Sequence, residues 1–227
     1  MRVVSLHADV LLATSAIWQT NCVIVRSGEE TFAIDSPILP EELDALPALL
    51  DQAGFPAPSG LLATHADWDH LLGRLAFPEA ALGCATSTER RLSANPGAAQ
   101  RELRAFDRQF HIERARPLML GSIQELAVPG RCEIGLHELQ LHPADGHTED
   151  GMVIWLDWAK VLVVGDYLST VEGPQVGGSP AAYLATLERL RPLVGLAEHV
   201  VPGHGPVLDG KRASEVLEES RALVAGM

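Results

Sequence analysis

The chain has 227 residues, 47% of them hydrophobic and 21% charged, with 17 basic against 30 acidic side chains and a net charge of −13. That apolar share supports a buried core and excludes a disordered chain. The negative balance argues against a nucleic-acid partner, because a phosphate backbone would be repelled. Cys22, Cys84 and Cys132 are odd in number and lack a Cys-x-x-Cys spacing, so buried reduced thiols and a cytoplasmic setting are expected. No apolar run approaches the ~20 residues of a membrane helix, and His7 and Asp9 interrupt any leader-like stretch.

In chain order, residues 3–12 read as one strand, and 21–26 with 31–34 as a hairpin joined by Ser27-Gly28-Glu29-Glu30. Pro40, followed by Glu41 and Glu42, marks a helix start. Leu43, Leu46, Leu50 and Ala53 share one face of that helix, and Pro47 is expected to kink or restart it. Residues 61–64 and 80–85 are short apolar strands. Residues 87–116 are rich in Arg, Glu, Gln and Ala and read as helices with solvated faces. The plainer reading of that segment is a charged surface balanced by Glu89, Glu102, Asp107 and Glu113; the sharper one is a lid or anion-recruiting wall. Strands return at 123–128, 133–141, 152–156 and 161–164, and helices at 181–190 and near the end of the chain. Two similar blocks of strands and helices suggest two sheets covered by helices on their outer faces, in one domain spanning residues 1–227.

Four short segments concentrate the chemistry: Thr64-His65-Ala66-Asp67-Trp68-Asp69-His70, Gly146-His147-Thr148, Gly165-Asp166 and Pro202-Gly203-His204-Gly205. Three follow predicted strands, where a rigid sheet can converge groups from distant parts of the chain. Singly, a His beside Gly or an Asp after Gly is ordinary turn chemistry. The first segment is different. Four metal-competent side chains fall within six positions, and Asp67 and Asp69 would repel each other without a cation nearby.

Together the four segments resemble the metallo-β-lactamase superfamily, whose members carry His-x-His-x-Asp-His, then Gly-His, Asp and Gly-His in that order. The opening strands, Asn21-Cys22-Val23-Ile24-Val25 and Phe32-Ala33-Ile34-Asp35, are similar as well. The resemblance implies an α/β fold, a four-layer αββα sandwich of two mixed sheets flanked by helices. It also implies two divalent metal ions, zinc first and iron or manganese otherwise. His65, Asp67 and His147 would hold one ion, Asp69, His70 and His204 the other, and Asp166 would bridge them. The departure from the pattern is Asp67, which stands where the second His is usual. A carboxylate there is shorter than an imidazole, so that half must contract, take a water or stay partly empty. It also brings an otherwise cationic cluster to neutrality and favours harder ions. The bland alternative is that Asp67 only caps a turn.

The resemblance implies a hydrolase in which a metal-bound hydroxide attacks an ester, thioester or lactone-type small molecule, with Asp69 receiving the proton and Asp166 completing the catalytic centre. Trp18, Trp68 and Tyr167 are candidate pocket residues, Tyr167 as a donor to a substrate oxyanion. His142 and His199 are candidate outer partners of the ligands. A second reading is a di-iron redox or oxygen- or NO-binding protein related to flavodiiron metal domains, which carry a carboxylate at the position of Asp67. That carboxylate is usually Glu, and no electron-delivering flavodoxin segment is evident. A third reading is a binding module without turnover. Neither a membrane nor a nucleic acid is an expected partner, and the oligomeric state is left open.

Overall fold

The computed structural model describes residues 1–227. The first half builds a seven-stranded sheet in simple sequence order. Its strands are β1 (Arg2–His7), β2 (Val10–Thr14), β3 (Asn21–Ser27), β4 (Glu30–Ile34), β5 (Gly60–Ala63), β6 (Ala81–Ala85) and β7 (Ile123–Leu126). The hairpins up to β4 are antiparallel, and β4 to β7 run parallel. Parallel neighbours need crossovers. These are supplied by α1 (Pro40–Gln52), α2 (Gly73–Ala76), α3 (Thr86–Ala94) and α4 (Ala98–Phe110). The second sheet holds β8 (Gly130–Ile134), β9 (His137–Pro143), β10 (Met152–Leu156), β11 (Val161–Val163) and β12 (His199–Val201), in the order β12-β11-β10-β9-β8. Helices α5 (Pro180–Val194) and α6 (Gly210–Ala225) complete the chain, and no helix is long and apolar enough to cross a membrane.

Strand alternation explains the layering. In β2 and β3, Val10, Leu12, Val23 and Val25 face the second sheet and pack with Leu139, Leu141, Ile154 and Val163. Their neighbours Leu11, Ala13, Cys22 and Ile24 face the other way, onto Leu43, Leu46 and Leu103 of the helices. A third cluster joins Val153, Trp155 and Leu162 to Tyr183, Leu187 and Val216 of α5 and α6. Both faces of the sheets are therefore covered, and β2, β5, β10 and β11 are buried throughout. That is the four-layer sandwich of two mixed sheets expected from the sequence.

Three local expectations change. Residues 3–12 are two strands, because Ala8-Asp9 makes a turn that Arg26 clamps through Asp9 Oδ1 at 2.9 and 3.2 Å. Residues 133–141 likewise divide between β8 and β9 at Gly135-Leu136. Gly135 has φ 54°, and a side chain there would strike Ser27. Pro47 does not restart α1, which runs unbroken from Pro40 to Gln52. Pro47 sits on its solvent side while Leu43, Leu46 and Leu50 anchor the opposite face.

Candidate metal centre

Four loops at neighbouring strand ends build the site. The first leaves β5 at Thr64 and closes in a single 3-10 turn, Trp68–His70, with His70 N donating to Asp67 O at 3.1 Å. The others follow β9, β11 and β12 and deliver His147, Asp166 and His204. Close approach is built into the last loop. A Cβ at Gly203 would fall 2.1 Å from Asp166 Oδ1, so only glycine lets that carboxylate enter.

The seven side chains named from the sequence do meet. His65, Asp67 and His147 form one triad, and Asp69, His70 and His204 another. Asp166 lies between them with its oxygens divided. Its Oδ2 is 3.7 Å from His65 Nε2 and 3.3 Å from His147 Nε2, while Oδ1 is 3.2 Å from His70 Nε2 and 3.6 Å from His204 Nε2. Asp67 Oδ2 stands 3.5 and 3.6 Å from His65 and His147 Nε2, and Asp69 Oδ2 stands 3.2 Å from His204 and 3.7 Å from His70 Nε2. Ligands on a tetrahedral ion with bonds of about 2.0–2.2 Å stand roughly 3.3–3.6 Å apart. The spacing fits a divalent ion in each triad.

Each imidazole is also aimed. Nδ1 of His147 is 3.0 Å from Gln175 O, and Nδ1 of His204 is 3.2 Å from both Trp18 O and Thr20 Oγ1. Nδ1 of His65 is 3.1 Å from Thr64 Oγ1, and Nδ1 of His70 is 2.9 Å from Asp35 Oδ2. For His147 and His204 a carbonyl at Nδ1 keeps the proton there and leaves Nε2 as the donor to a metal, while the Asp35 carboxylate faces His70 Nδ1 as a charge partner. Both ring nitrogens of His70, Nε2 of His65 and His147 and Oδ1 of Asp166 are buried with no aligned hydrogen-bond partner, and all but His70 Nδ1 lie on the shared centre. Such orphaned atoms cost about 1–3 kcal/mol each unless something compensates. Imidazoles and carboxylates suit zinc and harder divalent ions alike.

The electrostatics point the same way. Burial by itself would lower His147, but the carboxylates of Asp166 and Asp67 raise it to about 10. His70 and His204 are likewise raised by neighbouring carboxylates against the effect of burial. Burial opposes ionisation of Asp67, yet His147, His65 and Arg91 hold its carboxyl well below the usual range. The pocket of acids attracts positive charge, whether protons or dications.

Asp67 is not a turn cap: its side chain makes no capping bond to the 3-10 turn. Its free oxygen is taken by a residue that sequence reasoning placed on a solvated face. Arg91 of α3 donates to Asp67 Oδ1 at 2.6 Å and to Asp150 Oδ1 at 2.8 Å. Asp150 is buried, and its other oxygen accepts from Ala66 N at 2.9 Å, inside the first motif. Asp35, in the left-handed region at φ 58°, accepts from Thr64 N at 2.8 Å and from its hydroxyl at 2.9 Å, pinning the same motif from β4. Arg91 and Asp150 carried no local signal, and Asp35 stood out only as the end of a family-like strand; their contacts reveal their roles.

The centre opens into a cleft of about 290 Å³ lined by Trp18, Asp67, Asp69, His147, Asp166, Glu172, Gln175 and His204. Trp18 is 43% exposed at its rim. Trp68 is buried behind it, edge-on to Trp18 and against Phe106, so it braces the wall and does not line the cleft. Tyr167 is a correction. Its hydroxyl donates to Asp145 O at 2.8 Å and accepts from His147 N at 3.0 Å, in a buried position. It therefore shapes the His147 loop and has no donor left for a substrate oxyanion. His142 and His199 lie in β9 and β12 and make no hydrogen bond or ion pair with the cluster.

Comparison with known proteins agrees with this geometry. The sequence profile described as "Metallo-beta-lactamase superfamily" matches residues 16–204. A type 2 metallo-beta-lactamase of Bacillus cereus is 33% identical over 72 residues, 30% of this chain and 28% of that enzyme. The match thus spans under a third of that relative's length. Among solved structures, the DIM-1 metallo-beta-lactamase superposes with a TM-score of 0.72 at 21% identity, covering 99% of this chain and 96% of that one. A metallo-beta-lactamase family protein from Thermus thermophilus gives 0.75 at 19% identity, covering 98% and 81%. With the profile spanning most of its length and the ordered donors converging as described, the chain belongs to the metallo-beta-lactamase superfamily.

Proposed function

We propose that the chain is a hydrolase acting through a pair of divalent ions, zinc in the first instance, on small neutral carbonyl substrates: esters, thioesters or lactones. The observation that carries this reading is the division of Asp166 between two triads, one oxygen to each. His65, Asp67 and His147 would hold one ion, and Asp69, His70 and His204 the other. When bound, such ions lower the pKa of a coordinated water from 15.7 to about 7 and polarise the carbonyl under attack.

The chain's own residues supply the rest. The Nδ1 partners hold each imidazole in place before substrate arrives, so little reorganisation accompanies the reaction. Asp69 lines the cleft, where its carboxylate would take the proton from the attacking water and return it to the departing alkoxide or thiolate. Trp18 offers an apolar wall to the body of the substrate. With Asp67, Asp69, Asp166 and an anionic nucleophile offset by the two ions, Glu172 leaves the cleft with a net negative charge, which favours a neutral substrate over a phosphodiester.

The test is turnover of a chromogenic acetate ester, a thioester and a lactone by zinc-loaded protein. At least one should be hydrolysed, and Asp69→Ala should lower kcat about 10²–10⁴-fold with an unchanged circular dichroism spectrum. Undiminished turnover in that variant would end the assignment. A second reading, a di-iron redox centre, is favoured by the oxygen of Asp67 in a ligand position. Iron retained on purification, with visible absorbance and oxygen consumption, would select it.

A further inference from the structure

The arginine-rich segment does not behave as a balanced surface. On α5 and α6, Arg191, Arg212 and Arg221 each pair with a glutamate. In the segment after β6, Asp107 is the one acid of the four expected to balance it that pairs with an arginine of the segment, through Arg114. Arg91 is taken by the metal centre. Arg104, Arg108, Arg114 and Arg116 instead converge on a cleft of about 800 Å³ between α4 and residues 111–119. This cleft shares no residue with the metal cleft.

Its charge is poised for an outside partner. Arg114 forms the wall with a side chain only 7% exposed. Its Nε donates to both oxygens of Asp107, at 3.1 and 2.9 Å, and one terminal nitrogen donates to Ile38 O at 2.9 Å. The other, Nη2, is buried without a partner. Arg116 donates to Leu75 O at 2.7 Å and meets no carboxylate. Arg104 and Arg108, one turn apart on α4, are exposed and engage no acid. Once Asp107 is spent on Arg114, Glu113 is the remaining acid of the lining. Like charges gathered this way repel one another, in a chain whose net charge is −13. Leu103, Ile112 and Met119 add apolar surface to the same cleft.

We propose that this cleft binds an organic oxyanion, a phosphate or carboxylate head on an apolar body, at a site separate from the metal centre. Guanidinium forks match both heads, and the apolar lining takes the body.

The experiment is isothermal titration calorimetry on the metal-loaded full chain with phenyl phosphate, benzoate and benzyl alcohol. One or both anions should bind and the alcohol should not, and the tighter anion identifies the head. Arg104→Gln with Arg108→Gln should weaken that binding about tenfold or more, with metal content and thermal midpoint unchanged because both positions face solvent. No binding by either anion overturns the proposal. So does equal affinity in the double variant, which would put the anion elsewhere, the metal centre included.

Discussion

The two triads of the metal centre carry the same donors, two imidazoles and a carboxylate, yet sit in different surroundings. In the triad of Asp69, His70 and His204, the His70 side chain is fully shielded and Asp69 is 9% exposed. Asp35 backs His70, and Thr20 with Trp18 O backs His204. In the triad of His65, Asp67 and His147, Asp67 is 29% exposed and shares its second oxygen with Arg91. A carboxylate already bonded to a guanidinium gives less charge to a metal. Equal ligand counts therefore do not mean equal affinity, and the Asp69 triad is expected to fill first.

The strongest way to break this comparison is to remove what the triads share. Asp166→Ala should cost both halves at least ~100-fold in metal affinity, read by elemental analysis after dialysis. A variant that keeps two ions would separate the halves. Proton release tests the next largest effect. In the metal-free protein His147 is raised to about 10, so its imidazolium supports the fold fully below about 6.5 and loses that contribution as pH rises through about 10. Zinc must displace that proton at pH 8, so calorimetry in buffers of different ionisation enthalpy should show proton release, and affinity should climb with pH. Zinc uptake with no proton release would contradict the charge state assigned to the Asp67 triad.

Arg91→Gln sharpens the asymmetry. It leaves the buried Asp150 without its cation, for a loss of about 1–3 kcal/mol by denaturant unfolding, held to the lower end because Arg91 is 35% exposed. Dissociation of the second ion should change and that of the first should not. Asp67→His alone sets an imidazole against this guanidinium, so zinc occupancy should rise only when Arg91→Gln accompanies it. The smallest effect is expected at the rim. Trp18→Ala should raise KM several-fold for substrates with large apolar groups, about 1 kcal/mol, and leave kcat nearly unchanged; equal KM for small and large substrates would remove Trp18 from the pocket.

How legible the site was depends on how its parts are spaced along the chain. His65, Asp67, Asp69 and His70 crowd into six positions after an apolar strand, and that density has few structural explanations. His147, Asp166 and His204 sit in ordinary Gly-rich turns, and their order relative to the first motif made them readable. Arg91 had no such signal. It lies 24 residues beyond Asp67 on a helix patterned like a solvated face. Asp35 is a residue at a strand end like many others until its carboxylate is seen on Thr64 and His70. The hairpins at Asp9 and Gly135 were missed because the flanking residues continue an apolar pattern across a two-residue turn.

Donor identity, donor order and the alternation that buries both faces of β2 and β3 are properties of the amino-acid sequence by itself, because periodicity and coordination chemistry are local. Which oxygen of Asp166 faces which triad was decided only when four loops from two sheets packed together. The same holds for the claim of Arg91 on Asp67, the burial of the Tyr167 hydroxyl and the gathering of four arginines around a second cleft. Those outcomes depend on distances between residues remote in the chain, and such distances are set by layer packing and strand register, not by any local run of residues.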